Sequence, residues 1–353
     1  MWRVQFAPNP AGATFTNLTG VFCVSASSCN AVGLFELDVS ASDPKALAEA
    51  WNGHFWRLQH AVAPPGATNN TLAAASCVSS SFCEAVGSYL DSAGNNAGLA
   101  EQWNGTSWQI QPVPRPASTG RGVSESLDSV SCVSATFCMA VGVGSSGANA
   151  EMWNGTSWQL QSRPGTAVSP ESVSCAAVDF CMSVNGFGQV QIWGGSSWSA
   201  GPSAPGFSFF SGVSCLSGSF CEAAGSGPSG ENAAMRDGIS WSAQPTAGPP
   251  SVVMNAISCS DVNSCEEVGS FVDQVASQPV TLAENWDGST WALQPTPNPA
   301  TAQMSSLRSV SCTSSSSCTA VGDDYQFSFL RLTHTLGEVW NGTGLELAVH
   351  SQQ

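Results

Sequence analysis

The chain has 353 residues, of which 25 are acidic and 9 basic, and its formal net charge is −16. Lys45 is the only lysine, so the clustered positive charge that binds nucleic-acid backbones or anionic lipids is missing. No apolar stretch reaches the ~18 residues that span a bilayer. The 42% hydrophobic content is typical of a globular protein, and neither nucleic acid nor a membrane is expected as a partner.

The first predicted element is a short strand within residues 1–10. It reads Trp2-Arg3-Val4-Gln5-Phe6 and stops at Pro8-Asn9-Pro10, because proline cannot continue a strand ladder. The segment from Trp291 to Pro299 repeats this pattern near the other end of the chain. No basic-then-apolar signal sequence precedes the strand, so we expect the signal peptide of an exported protein to lie outside this sequence.

Seven repeat units follow, whose cysteine pairs start 40–55 residues apart. Strand A runs into the first Cys of a unit, strand B starts at the second, strand C ends at a Trp, and strand D begins at another Trp. Between the two Trp lies an Asn-Gly or Asp-Gly hairpin signal, as in Trp103-Asn104-Gly105-Thr106-Ser107-Trp108. One unit buries too little to fold alone. The repeats therefore predict an all-β, seven-bladed propeller with four antiparallel strands per blade, a single domain over residues 1–353.

The cysteines of each unit have the spacing C-x5-C and allow two interpretations. As metal ligands they lack the C-x2-C spacing of zinc sites, and the chain has only four His. As disulfides they face each other across a tight hairpin. We predict one disulfide per blade, which places the protein in an oxidising compartment, secreted or at a cell surface. The predicted pairs are Cys23–Cys29, Cys77–Cys83, Cys132–Cys138, Cys175–Cys181, Cys215–Cys221, Cys259–Cys265 and Cys312–Cys318.

The last unit has strands A, B and C but a degraded strand D, since Trp340-Asn341-Gly342 is not followed by a second Trp. The N-terminal strand has no strands A to C before it. We therefore expect residues 1–10 to supply strand D of blade 7 and to cover an otherwise open edge. Leu345–Val349 is the alternative for this position. If the N-terminal strand fills it, residues 345–353 form a tail or an added edge strand.

The units resemble secreted, Cys-containing propeller repeats of actinobacterial type, through the pattern S-V-S-C-x5-C-x-A-V-G followed by A-E-x-W-[ND]-G-x-S-W-x-L-Q-P. They also resemble, more distantly, the Asp-box repeats of sialidases, since Asp287-Gly288-Ser289-Thr290-Trp291 is similar to a shortened S-x-D-x-G-x-T-W box. That resemblance implies a structural turn and no activity, because the box is not a catalytic site. Seven units also differ from the six blades of sialidases.

Two sets of connections vary in length, from strand B to C and from strand D to A, and both leave the same face of a propeller. They are longest in blades 6, 7, 1 and 2, which predicts one raised side with a binding site. Aromatic residues beside carboxylates there suit the apolar faces and hydroxyls of sugars, although these aromatics also fit a role as packing under the loops. The candidate ligand-binding residues are Phe35, Tyr89, Phe271, Asp323, Asp324, Tyr325, Arg331 and His334.

These residues predict a propeller that binds an extracellular ligand, most plausibly a carbohydrate, without catalysis. A glycan-cleaving enzyme at the same face is one alternative, because paired acids or a Tyr nucleophile would serve a glycoside hydrolase or a sialidase-like reaction. A scaffold or adhesion module with protein partners is another. No cofactor is expected, although Asp323 and Asp324 give a weak signal for Ca²⁺. The sequence predicts no oligomeric state.

Two other repeated features have structural interpretations. A glutamate two residues before the first Trp recurs in five blades, which favours a hydrogen-bond acceptor between blades or in a turn over five active sites. The paired Trp favour cross-strand packing at the outer hairpin. The recurring glutamates are Glu49, Glu101, Glu151, Glu284 and Glu338.

Overall fold

Each Cys-containing unit folds into one four-stranded antiparallel sheet, and seven such sheets surround a central channel. The computed structural model describes residues 1–38, 43–115, 124–144, 147–163, 170–227, 232–249, 252–273, 277–326 and 332–342. No helix in these ranges is long and apolar enough to cross a membrane. The predicted seven-bladed propeller is confirmed.

The first four blades follow one another along the chain. Blade 1 holds β2 (Phe15–Ser25), β3 (Ser28–Glu36), β4 (Lys45–Trp51) and β5 (Trp56–Gln59). Blade 2 holds β6 (Thr68–Ser79), β7 (Phe82–Leu90), β8 (Asn96–Trp103) and β9 (Trp108–Gln111). Blade 3 holds β10 (Ser126–Ser134), β11 (Phe137–Gly144), β12 (Gly147–Trp153) and β13 (Trp158–Leu160). Blade 4 holds β14 (Pro170–Ala177), β15 (Phe180–Asn185), β16 (Val190–Trp193) and β17 (Trp198–Ala200).

The remaining blades include the one that the N-terminal strand completes. Blade 5 holds β18 (Phe209–Ser217), β19 (Phe220–Ser226), β20 (Ala233–Arg236) and β21 (Trp241–Gln244). Blade 6 holds β22 (Val252–Asp261), β23 (Ser264–Asp273), β24 (Gln278–Trp286) and β25 (Trp291–Gln294). Blade 7 holds β26 (Met304–Ser314), β27 (Ser317–Gln326), β28 (Leu332–Trp340) and, as its fourth strand, β1 (Trp2–Gln5).

The core lies between neighbouring blades. Strand B is buried on both faces in each blade, as the continuous run from Cys29 to Gly33 shows, because each face packs against another sheet. One representative cluster joins Val32 and Ala48 of blade 1 to Leu72 and Leu99 of blade 2. The small and β-branched residues of the A-V-G repeat therefore serve close sheet-to-sheet packing.

The serine of the repeated Ser-Cys step joins adjacent blades around the channel. In six blades its Oγ accepts a hydrogen bond of 2.9–3.0 Å from the backbone N–H of the first Cys of the next blade, as between Ser311 and Cys23. Blade 1 has Phe22 at this position. The S-V-S-C pattern is thus explained by blade-to-blade bonding of the innermost strands.

The seven predicted disulfides are confirmed. Each joins residues directly opposite each other in strands A and B, with Cα–Cα distances of 3.9–4.1 Å, as in Cys23–Cys29. No described cysteine is free. The bridges are compatible with an oxidising extracellular environment.

The Trp pairs pack across strands C and D as predicted, with ring centroids 5.6 Å apart for Trp51 and Trp56. Between them, Asn52 Oδ1 accepts hydrogen bonds from the N–H groups of His54 and Phe55, and Gly53 has a φ of +91°. A side chain is rarely tolerated at such a φ, which explains the Asn-Gly and Asp-Gly steps.

The first Trp of six blades also fastens the turn between strands A and B. Its indole N–H donates to a carbonyl of that turn at 3.1–3.2 Å, as Trp51 does to Ala26. Blade 5 has lost this Trp, and Arg236 takes its place: its Nη1 donates to the carbonyl of Gly218 at 2.8 Å. Blade 5 therefore keeps the hydrogen bond to its A–B turn, with Arg236 instead of Trp as the donor.

We therefore expect Arg236→Trp to preserve the stability of blade 5 and Arg236→Ala to lower the free energy of unfolding by about 1–2 kcal/mol through loss of this bond. Urea unfolding of both variants checks this. Equal destabilisation by alanine and tryptophan would show that the turn does not depend on a donor at this position.

The ring closes through the N-terminal strand, as predicted. β1 pairs antiparallel with β28, with Trp2 opposite Trp340 and Gln5 opposite Gly337. The Met1 ammonium donates to Asn341 Oδ1 at 2.9 Å. The alternative partner of β28, Leu345–Val349, and the predicted tail or added edge strand over residues 345–353 lie outside the described residues.

The extra length on the raised side is largely strand, where the sequence predicted loops. In blade 6 the pairing of strands B and C continues to Asp273 opposite Gln278, and in blade 7 to Gln326 opposite Leu332. Strands B and C of blade 4 have only six and four residues. The extra residues continue the ladder because they still alternate and find cross-strand partners.

Candidate functional site

The candidate site lies on the loop face, which we define as the face where the B–C and D–A connections emerge. Phe35, Tyr89 and Phe271 occupy equivalent positions in strand B of blades 1, 2 and 6. Each is half-buried and packs against a core cluster that its blade shares with a neighbouring blade. These contacts agree with the packing interpretation, and the ligand-binding role of the three stays a prediction.

Tyr89 belongs to a polar group on blade 2. Arg115 donates to the Tyr89 hydroxyl at 3.3 Å and to the Asp91 carboxylate at 2.9 Å. The Arg115 guanidinium is the main cause that lowers the pKa of Asp91 to about 2. The sequence did not predict that these three side chains contact one another, because Arg115 lies in the D–A connection after blade 2, 24 residues from Asp91.

Blade 7 contributes most of the predicted residues. Asp323 pairs with Arg308 of the innermost strand, at 2.8 Å between Nε and Oδ1. Tyr325 is half-buried and lies opposite Met304 and Thr333 in the sheet. Arg331 lies outside the described residues.

A cavity of about 310 Å³ opens where blade 7 meets the N-terminal strand. We call it the seam pocket. One wall consists of residues in and just after β1, and the other consists of residues of β27 and β28. The connection between blades 6 and 7 contributes one further residue, Pro299. Its lining residues are Val4, Gln5, Phe6, Ala7, Asn9, Pro299, Asp324, Gln326, His334, Thr335 and Leu336.

The polar centre of the seam pocket is the pair Asp324 and His334, which lie directly opposite each other in strands B and C. Asp324 is only 5% exposed, and burial is the main cause that raises the pKa of its carboxyl group. Its Oδ1 accepts a hydrogen bond of 3.1 Å from Gln326. His334 Nδ1 is buried 3.7 Å from Asp324 Oδ1 and has no hydrogen-bond partner among the described residues.

Asn9 fixes the other wall of the pocket. Its Oδ1 accepts hydrogen bonds from the N–H of Thr335 at 3.1 Å and from the Thr16 hydroxyl at 2.5 Å. Asn298 makes the same bond to Thr281 in blade 6, at 3.1 Å. The repeated Pro-Asn-Pro segment is therefore a clamp that holds the D–A connection against strand C.

The structure thus brings Asp324 and His334 together and adds Phe6, Asn9 and Gln326, which the sequence analysis did not single out. Phe35, Tyr89 and Phe271 do not line the seam pocket. The repeated Pro-Asn-Pro pattern could have drawn attention to Asn9, and the predicted docking of β1 against blade 7 could have drawn attention to Phe6.

A second cavity, of about 230 Å³, is the central channel. It is lined by the innermost strands of all seven blades, and most of its lining side chains are serine, alanine and valine. Asp128, Glu171 and Arg308 are the charged residues that line it. Many of its serine hydroxyls already accept hydrogen bonds between blades, so we interpret the channel as a structural feature of the ring.

The recurring glutamates are fully buried, with an exposure of 0% for each. Glu101 Oε2 accepts from the N–H of Val62 at 2.9 Å and Glu284 Oε2 from that of Ala247 at 3.3 Å, both in the D–A connection before their own blade. These two contacts agree with the predicted structural role. Burial raises the pKa of Glu49 and Glu151 to about 8.

Further buried glutamates were missed because they follow the second Cys, where the sequence varies. Burial raises the pKa of Glu84 and Glu222 to about 8. In blade 6, Glu267 lies opposite Glu284, where blades 1, 2, 3 and 7 pair glutamate with alanine. Burial, with the nearby Glu284, raises the pKa of Glu267 well above its usual value.

The acids do not assemble into a metal centre in the described part of the chain, where no three His, Cys, Asp or Glu side chains are grouped to hold an ion. Asp323 and Asp324, the predicted weak Ca²⁺ signal, point to different partners: Arg308 for the first, Gln326 and His334 for the second.

No protein-family model and no curated protein matches this chain. Solved structures with similar folds include YCF48 bound to D1 peptide, with 11% identity, a TM-score of 0.60 and 96% of each chain covered. YCF48 from Cyanidioschyzon merolae has 10% identity and a TM-score of 0.57, covering 96% of this chain and 98% of that one. The WD40 β-propeller domain of Doa1 has 12% identity and a TM-score of 0.60, covering 95% and 96%. At these identities the likeness establishes the fold: a seven-bladed β-propeller with distant WD40-like structural neighbours.

Proposed function

We propose that this chain is a secreted or cell-surface recognition module of actinobacterial type that binds a carbohydrate on its loop face without cleaving it. The seven disulfides support an oxidising location. The Asp-box likeness concerns its hairpin turns and supplies no catalytic group.

The observation that carries the proposal is the one-sided extension of the B–C hairpins. The hairpins of blades 6 and 7 carry aromatic and carboxylate side chains, such as Phe271 and Asp324, and strand B has ten residues in each of them, against six in blade 4 and seven in blade 5. A ring face stacks on an aromatic side chain while its hydroxyls pair with carboxylates and amides. Binding suits this arrangement better than hydrolysis, because Asp323 is held by Arg308 and Asp324 is buried.

A glycan array probed with the labelled protein tests the proposal. We expect specific retention of a subset of glycans without release of product. Product release would favour the glycoside hydrolase or sialidase-like alternative. Absence of any retention would overturn the proposal.

A polypeptide ligand is the second candidate, because one structure of the same fold holds a D1 peptide. In that case the chain would be a protein-binding scaffold or adhesion module. A peptide array run beside the glycan array separates the two candidates, since each predicts retention on one surface and none on the other.

A further inference from the structure

We propose that the seam pocket binds a single neutral pyranose residue and that this ligand locks the ring closed. The inference rests on the proposed carbohydrate function and narrows it to one place and one class of sugar. At about 310 Å³ the cavity is at the small end of ligand pockets, which suits one sugar ring rather than an extended chain.

An unsatisfied polar atom points to a ligand with hydroxyl groups. Within the described part of the chain, His334 Nδ1 is buried without a hydrogen-bond partner, and the 3.7 Å to Asp324 Oδ1 is too long for a direct hydrogen bond. Buried polar atoms are rarely left in this state. A hydroxyl both donates and accepts, so one sugar hydroxyl can pair with the carboxylate and the imidazole together.

An apolar surface beside these groups completes the match to a sugar. Phe6 lines the pocket and is 83% exposed, which is unusual for a phenylalanine, and Pro299 and Leu336 line it as well. A pyranose has an apolar face formed by its C–H groups and a polar rim. The pocket has the same two kinds of surface, an aromatic wall and a polar centre.

The charges favour a neutral sugar over an acidic one. Among the described lining residues, Asp324 is the only acid and none is Lys or Arg. Asp323 is its neighbour in the chain, and the protein as a whole carries a formal charge of −16. A uronic or sialic acid would bring its carboxylate next to Asp324, and no guanidinium among the described lining residues would pair with it.

The position of the pocket couples binding to ring closure. Phe6 and Asn9 belong to the N-terminal segment, whereas Asp324 and His334 belong to strands B and C of blade 7. A ligand that contacts both sides binds only when β1 is docked. Binding must therefore stabilise the docked state by linkage.

The test uses the intact protein and isothermal titration with methyl glycosides of glucose, galactose, mannose, xylose and N-acetylglucosamine, with glucuronic acid as the acidic probe. We expect at least one neutral glycoside to bind and the acid not to bind. Phe6→Ala should weaken binding about fivefold to tenfold, and Asp324→Asn about tenfold to a hundredfold. Phe187→Ala, a similarly exposed Phe (69%) on the low blade 4, is the control that should change nothing.

The linkage gives a second readout. The bound glycoside should slow hydrogen exchange of the β1 amides, and this effect should be lost in Phe6→Ala, whose exposed side chain can be removed without loss of folding. Glycan binding that survives both pocket variants would overturn the seam pocket while leaving the proposed function standing. Preference for the acidic probe would overturn the neutral class, and a wild-type protein that binds no glycoside and no glycan would overturn both proposals.

Discussion

Replacing Trp2 by alanine is expected to lower the free energy of unfolding by about 3–5 kcal/mol, the usual cost of removing a large buried aromatic side chain. Trp2 is 1% exposed and lies 6.1 Å from Trp340 between ring centroids. Its indole N–H donates to Gln294 of blade 6 at 2.7 Å. One side chain therefore holds β1 to its own blade and to the neighbouring one. Urea unfolding measures the loss.

Trp108→Ala is the matched control, because Trp108 has the same place in blade 2. It is 2% exposed, packs on Trp103 at 5.6 Å and donates to Gln59 at 2.8 Å. Both variants should lose similar stability, but only Trp2→Ala should expose the amides of β28 to rapid hydrogen exchange. A hairpin turn joins the strand that carries Trp108 to its neighbour β8, whereas β1 pairs with a strand more than 300 residues away in the sequence. A cost below about 1 kcal/mol for Trp2→Ala would contradict closure by this strand.

Raising the pH from about 5 to about 9 is expected to destabilise the protein by several kcal/mol. The pKa values of Glu49, Glu84, Glu151 and Glu222 are raised by burial from 4.5 to about 8, so the folded protein holds protons that the unfolded chain has released. The stability from these neutral acids is complete below about pH 4.5 and is lost as the pH rises through about 8. Unfolding by urea at several pH values measures the slope.

Glu49→Gln isolates one of these groups. Both Glu49 oxygens are buried without a hydrogen-bond partner, and the amide has nearly the shape of the neutral acid. The variant should match the wild type at about pH 5 and be about 4 kcal/mol more stable than the wild type at about pH 9, since the pKa of Glu49 is raised from 4.5 to about 8 and each unit of that difference is worth about 1.4 kcal/mol. Asp237→Asn is the control. Turn N–H groups lower the pKa of Asp237, so its carboxyl group is ionised in both the folded and the unfolded protein between about pH 5 and pH 9. This change should therefore leave the pH dependence of stability in that range unaltered. A gain that does not depend on pH would refute the protonated state of Glu49.

The fold could be predicted because its determinants repeat. Cysteine pairs, Asn-Gly turns and Trp pairs each act within one hairpin, so local spacing was sufficient to define them. Closure was also predictable, because the Trp2 segment matches the strand that begins at Trp291. The extended hairpins were taken for loops, since their continued pairing depends on partners across the sheet.

The seam pocket could be predicted only in part. Asp324 and His334 were selected because they lie on long connections of blade 7, but their pairing follows from strand register that the sequence does not display. Phe6 becomes notable only through its exposure, and exposure depends on what surrounds it. The buried glutamates were equally hidden, because burial of a carboxyl group follows from how two sheets meet.

The disulfides have a mechanical consequence. Every bridge closes a loop inside one hairpin, six residues from Cys to Cys, and none crosses from one blade to another. Tension along the chain would therefore meet no disulfide between blades, because the described contacts between blades are hydrogen bonds, such as those of Ser311 and Trp2, and packed side chains. Blades would peel away one after another, and each intact bridge would withhold about 20 Å of extensible chain. The disulfides therefore stabilise individual blades, whereas the side-chain contacts between blades are noncovalent.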